Sequence, residues 1–109
     1  MPELVKKSRP DQLSGRTHKI ETNAGKLFLT VNDCDGIPFE VFARVGKAGD
    51  DVMALCEAIG RLVSLSLRYG IPAPEVVEQL KGVGGDWPVT PSVPEAISRA
   101  LGGGAEDGR

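Results

Sequence analysis

A chain of 109 residues, 40% apolar and 26% charged, has material for one ordinary hydrophobic core. Its net charge of −2 argues against general affinity for a nucleic-acid duplex, where many phosphates are neutralised at once, but leaves room for a small anion held by a few local cations. Two cysteines 22 residues apart, one histidine and no CxxC argue against structural zinc. With no apolar leader region and no run long enough to span a bilayer, the chain reads as cytoplasmic.

The first fifteen residues are charged, contain Pro2 and Pro10, and read as a flexible arm. From Arg16 to Val45 the pattern is β. Residues 16 to 22 alternate weakly. Asn23-Ala24-Gly25 is a turn. Residues 26 to 32 alternate cleanly, with Leu27, Leu29 and Val31 on one side and Lys26, Phe28, Thr30 and Asn32 on the other. Asp35-Gly36 signals a tight hairpin. Residues 37 to 45 form a third strand, in which Phe39, Val41, Ala43 and Val45 alternate with Glu40, Phe42 and Arg44. Phe28 and Phe42 fall on the otherwise polar face, either pairing across strands or marking a second buried surface.

The period then changes to that of a helix, predicted over about 51–69, with Asp50 or Asp51 as N-cap and Gly70 as the stop. This segment is apolar almost all round, and its one polar stripe is Glu57, Arg61, Ser64 and Arg68. A three-stranded sheet covers one side of it, so other helices or a second copy of the chain are expected to cover the rest. Gly60, in mid-helix, predicts a close approach of another backbone. A second helix starts near Ala73-Pro74-Glu75 and ends at Gly82. After the loop 82–91 a third starts with Ser92 as N-cap, Pro94 in the first turn and Glu95 three residues after the cap, and runs to Gly102. The expected fold is thus α+β: a three-stranded antiparallel meander (about 16–45) packed on a long buried helix, then two shorter helices. The ordered domain spans 16–101, and 102–109 form a disordered tail.

Three places carry candidate chemistry. Arg44, Gly46, Lys47, Ala48 and Gly49 lie at a strand-to-helix junction, where glycines admit an anion to the free N–H groups of the helix start. The spacing is neither a P-loop nor GxGxxG, and an ordinary Gly-rich connection is the competing reading. Arg61 and Arg68, with Ser64 between them, can clamp a phosphate or carboxylate; the alternative is a solvated stripe in which Glu57 pairs with Arg61. Trp87 can stack on a base or cap the core. No nucleophile, base and orienting group can be read as a set, so catalytic residues are expected to be none.

Residues 40 to 85 resemble the TSCPD domain, found near the C-terminus of adenosylcobalamin-dependent (class II) ribonucleotide reductases and also as small stand-alone proteins. The resemblance rests on Gly46-Lys47-Ala48-Gly49, Glu57-Ala58-Ile59-Gly60-Arg61-Leu62, Leu67-Arg68 followed by Gly70-Ile71-Pro72, and Gln79-Leu80-Lys81-Gly82. Ser92-Val93-Pro94-Glu95-Ala96 sits where the family's name-giving Ser-Cys-Pro-Asp-Ala falls, with the cysteine replaced by Val93 and the aspartate by Glu95. The resemblance extends over residues 16–101. It implies kinship with the reductase without its catalytic barrel, and therefore a non-catalytic accessory, regulatory or nucleotide-binding module with no cofactor bound by this chain alone. The expected partners are other copies of the chain, a ribonucleotide reductase subunit and a nucleotide, with no duplex DNA and no membrane. A stand-alone oligomeric protein that sequesters nucleotides or cyclic nucleotide signals, of the kind phages use, is the alternative.

Overall fold

In the computed structural model, which describes residues 3–85 and 90–102, the alternating segments pair as a three-stranded antiparallel sheet in the order β1-β2-β3. The strands are β1 (Ser14–Thr22), β2 (Gly25–Cys34) and β3 (Ile37–Val45). Three helices follow: α1 (Asp50–Arg68), α2 (Ala73–Leu80) and α3 (Val93–Leu101). This is the α+β architecture expected from the sequence. β1 starts at Ser14, two residues before the alternation became legible.

The turns explain the register. Asp35 and Gly36 both have positive φ, 54° and 79°, the type I′ geometry that matches the twist of two paired strands. At the first hairpin, Thr22 Oγ1 donates to the Gly25 carbonyl (2.6 Å) and accepts the Ala24 N–H (3.1 Å). The register sets Leu27 opposite Val45, Leu29 opposite Ala43 and Val31 opposite Val41, so one face of the sheet is aliphatic. Leu27, Leu29 and Val31 are fully buried there, under Cys56, Val63 and Leu67 of α1 and Ala96, Ile97 and Ala100 of α3. α1 packs on β3, while α3 packs on β2, β1 and α2.

Several expectations are corrected. Phe28 lies opposite Arg44 and Phe42 opposite Thr30, so the two rings are not a cross-strand pair. Instead the Arg44 guanidinium lies over the Phe28 ring, 5.1 Å from its centroid, and Phe42 is exposed. A β-bulge between Asn32 and Asp33 skips Phe39 in the pairing. Phe39, Glu40 and Val41 are consequently all buried, where strict alternation placed Glu40 in solvent. The N-cap of α1 is Gly49, in extended conformation, and neither Asp50 nor Asp51 caps it with a side chain. Gly70, at φ 91°, ends the helix, and the Ile71 N–H returns to the Ser66 carbonyl at 3.0 Å.

α1 is buried along one stripe, Cys56, Gly60, Val63 and Leu67. α2 and α3 do not close over its outer side, where Leu55 and Leu62 are 63% and 64% exposed. At α3, Ser92 accepts the Glu95 N–H (3.2 Å) and donates to the Val83 carbonyl (2.6 Å). Glu95 does not complete a reciprocal capping box. Its carboxylate takes the Gly82 N–H at 2.6 Å and the Arg99 guanidinium at 2.8 Å, tying the end of the α2 region to α3.

Candidate functional site

β3 is an edge strand, and α1 lies along its free side. Ser64 Oγ accepts the Val41 N–H (2.9 Å) and donates to the Val41 carbonyl (3.1 Å). One hydroxyl thus satisfies both groups that a further strand would have taken. Gly60 lies against the same edge. A Cβ there would sit 3.6 Å from the Val41 carbonyl oxygen and 3.7 Å from the Ala43 nitrogen, so helix and strand backbones do approach closely, with room for a methyl group.

Between this edge and α1 runs an open groove of about 640 Å³. Its third wall is the N-terminal arm, which the structure places across one end. The Lys7 N–H donates to the Arg68 carbonyl (2.9 Å), and the Arg68 guanidinium returns two hydrogen bonds to the Lys7 carbonyl (3.3 and 3.2 Å). Arg68 also lies over the Phe39 ring, 5.4 Å from its centroid. Arg9 grips Glu40 through Nε and a terminal nitrogen, both at 2.9 Å, and Asn32 Nδ2 donates to the same carboxylate at 2.7 Å. Glu40 is only 4% exposed. The Arg9 hydrogen bonds, with help from Asn32 and the nearby Arg68 charge, outweigh burial and hold the Glu40 carboxyl below the ordinary carboxylate range.

Four cations, Lys6, Arg9, Arg61 and Arg68, face two carboxylates, Glu40 and Glu57, across the groove. Arg9 is committed to Glu40. Arg61 pairs with Glu57 at 2.7 Å, but both side chains are mostly exposed, so this pair is weak and easily exchanged. Lys6 has no ion pair among the described residues. Phe42 and Leu65 supply apolar surface beside these charges. Small ligands are generally held this way, by an apolar wall and a few placed polar groups, and the volume lies in the usual range for such sites.

The residues singled out from sequence do not form one site. Arg61, Ser64 and Arg68 line the groove; Arg44, Gly46, Lys47, Ala48 and Gly49 do not. Arg44 is held on the open face of the sheet over Phe28. The Gly46 N–H closes the strand pairing on the Lys26 carbonyl (3.1 Å), Lys47 takes a left-handed φ of 59°, and the Gly49 carbonyl accepts the Met53 N–H (3.1 Å). Ala48 packs at the edge of the core. Trp87 lies outside the described residues. Lys6 and Arg9 were missed because a charged, proline-containing segment carries no periodicity, and Glu40 because alternation placed it in solvent. The available signal was charge: a basic run, Lys6-Lys7-Ser8-Arg9, ahead of a strand with an acid in it.

The sequence profile of the TSCPD domain family matches residues 3–103. The chain belongs to the TSCPD domain family. A vitamin B12-dependent ribonucleotide reductase from Rhodopirellula baltica is 28% identical over 71 residues, which cover 64% of this chain and 7% of that protein. The TSCPD domain is therefore distantly similar to a small part of a much longer enzyme. No solved structure matches it. The segment likened above to the family's name-giving motif starts α3, where Ser92 caps the helix, Pro94 occupies its first turn and Glu95 ties down Gly82. Val93 is buried in the core. His18, the single histidine of the chain, lies on β1 away from the groove, with its Nε2 buried. No group of three or more potential metal ligands occurs among the described residues, and no described helix is long and apolar enough to cross a membrane.

Proposed function

We propose that this TSCPD domain is a non-catalytic accessory module, related to B12-dependent ribonucleotide reductase, that binds a nucleotide in the groove between β3 and α1. The supporting observation is the excess of cations over carboxylates in a groove that also presents an aromatic ring. Lys6 and Arg61 take the phosphates: Lys6 carries no competing ion pair among the described residues, and Arg61 leaves an exposed one. Arg9 and Arg68 are already spoken for and shape the wall rather than bind. Phe42, exposed at the groove's lip, offers a face for the base. Kinship with the reductase makes a nucleotide the natural anion, since the relative's name states that it acts on ribonucleotides. The bare outer side of α1 favours a second reading, in which copies associate and sequester nucleotides without any reductase.

Calorimetric titration of the full chain with deoxynucleoside triphosphates and cyclic nucleotides tests the proposal. At least one should bind, and Lys6→Ala and Arg61→Ala should each weaken it about tenfold, the equivalent of ~1.4 kcal/mol. Lys47→Ala, outside the groove, should leave it unchanged. Absence of heat with every nucleotide, or a loss confined to Lys47→Ala, would overturn the reading.

A further inference from the structure

The outward face of α1 carries an apolar seam that no other described element covers. Leu55, Ala58, Leu62, Leu65 and Tyr69 recur at alternating intervals of three and four residues, the spacing by which one helix meets another along its length. All five are exposed, and they lie opposite the stripe that packs on β3. We propose that this seam is the contact between two copies of the chain, packed as an antiparallel helix pair about a two-fold axis that crosses the seam midway between Ala58 and Leu62.

Charge and spacing identify the occupant. α1 begins with Asp50 and Asp51 and carries Arg61 and Arg68 in its second half. A parallel pair would set acid against acid and arginine against arginine. An antiparallel pair brings Asp51 of one copy beside Tyr69 of the second, and Glu57 beside Arg61, with opposed helix dipoles. The apolar positions are self-complementary about the same point: Leu55 meets Leu65 of the second copy, and the small Ala58 meets Leu62. The two Arg61 side chains fall near the axis, each neutralised by its own Glu57 at 2.7 Å. Such an isologous contact closes on itself and yields a dimer rather than a filament. It does not depend on a ligand, although Arg61 and Leu65 border both groove and seam, so a second copy would raise one wall of the groove.

Sedimentation of the full chain at micromolar concentration should give twice its 11.5 kDa mass. Leu62→Glu and Leu55→Glu should each halve the measured mass while leaving the far-ultraviolet circular dichroism unchanged, because both side chains are exposed in the single chain. Ile37→Glu, exposed elsewhere, should leave the dimer intact. Under mild oxidation, Leu55→Cys with Leu65→Cys should cross-link two copies, whereas Leu55→Cys alone should not. A monomer at every concentration, a dimer indifferent to both glutamates, or cross-linking by Leu55→Cys alone would each overturn the proposal.

Discussion

Glu40 shows how one side chain joins the arm to the sheet. Its folded-state pKa lies below its unfolded value, so its contribution to stability is fully present above the ordinary carboxylate range and is lost as the pH falls through the depressed value. Glu40→Gln should therefore lower the melting temperature at pH 7, and the gap to the parent should close under acid conditions, below roughly pH 4. Thermal melts across that window check this; a gap that persists or grows in acid contradicts it. Ser64 is the other pivotal side chain. Ser64→Ala strands the N–H and carbonyl of a residue that is 2% exposed, at a cost of about 1–3 kcal/mol, measurable by denaturant unfolding. Neither role was visible in the sequence. Glu40 obeyed the alternation that predicts solvent, and only the bulge that skips Phe39, together with the reach of Arg9, buries it. Ser64 was read as part of a ligand stripe, whereas its hydroxyl is consumed by Val41. The Cys56 thiol is buried in the core, and burial pushes its pKa up, away from the reactive thiolate.

At the scale of elements, local chemistry specified most of what formed. The Asp35-Gly36 turn, the stop at Gly70 and the Ser92 cap each act within a few residues, and each was readable. The start of α1 was not, because two adjacent aspartates look like caps while the backbone places Gly49 at that position. Gly60 was read correctly as a close approach, but the contact is looser than a glycine requirement implies, since a methyl group fits at ordinary contact distance. Gly60→Ala should thus stabilise the fold by about 0.5–1 kcal/mol through helix propensity, while Gly60→Leu should lever α1 off β3 and destabilise it by about 1–3 kcal/mol. Melting temperatures moving in opposite directions would verify this, and a destabilising alanine would show that the backbones are closer than described. The apolar circumference of α1 was legible, but which element covers each side was not, because periodicity identifies apolar faces without identifying their partners.

Across the whole molecule, the groove is assembled from the consecutive elements β3 and α1 and from the arm, which is distant from both in sequence. This explains why the candidate residues could be found only in part. Arg61 and Arg68 share a helix face and announced themselves by spacing; Lys6 and Arg9 reach the groove only because Glu40 and the Arg68 carbonyl hold the arm there. Arg44 and Lys47 do not reach the groove: Arg44 is held over Phe28, and Lys47 sits with a left-handed φ in the connection ahead of α1. The proposed function places anion recognition in the groove and not at the Gly46–Gly49 junction. The direct measurement is a backbone amide NMR titration of the isotope-labelled full chain with a deoxynucleoside triphosphate. The shifts should concentrate at Lys6, Val41–Ala43 and Gly60–Leu65. Shifts centred instead on Gly46–Val52, with residues 41–43 and 60–65 unmoved, would contradict it.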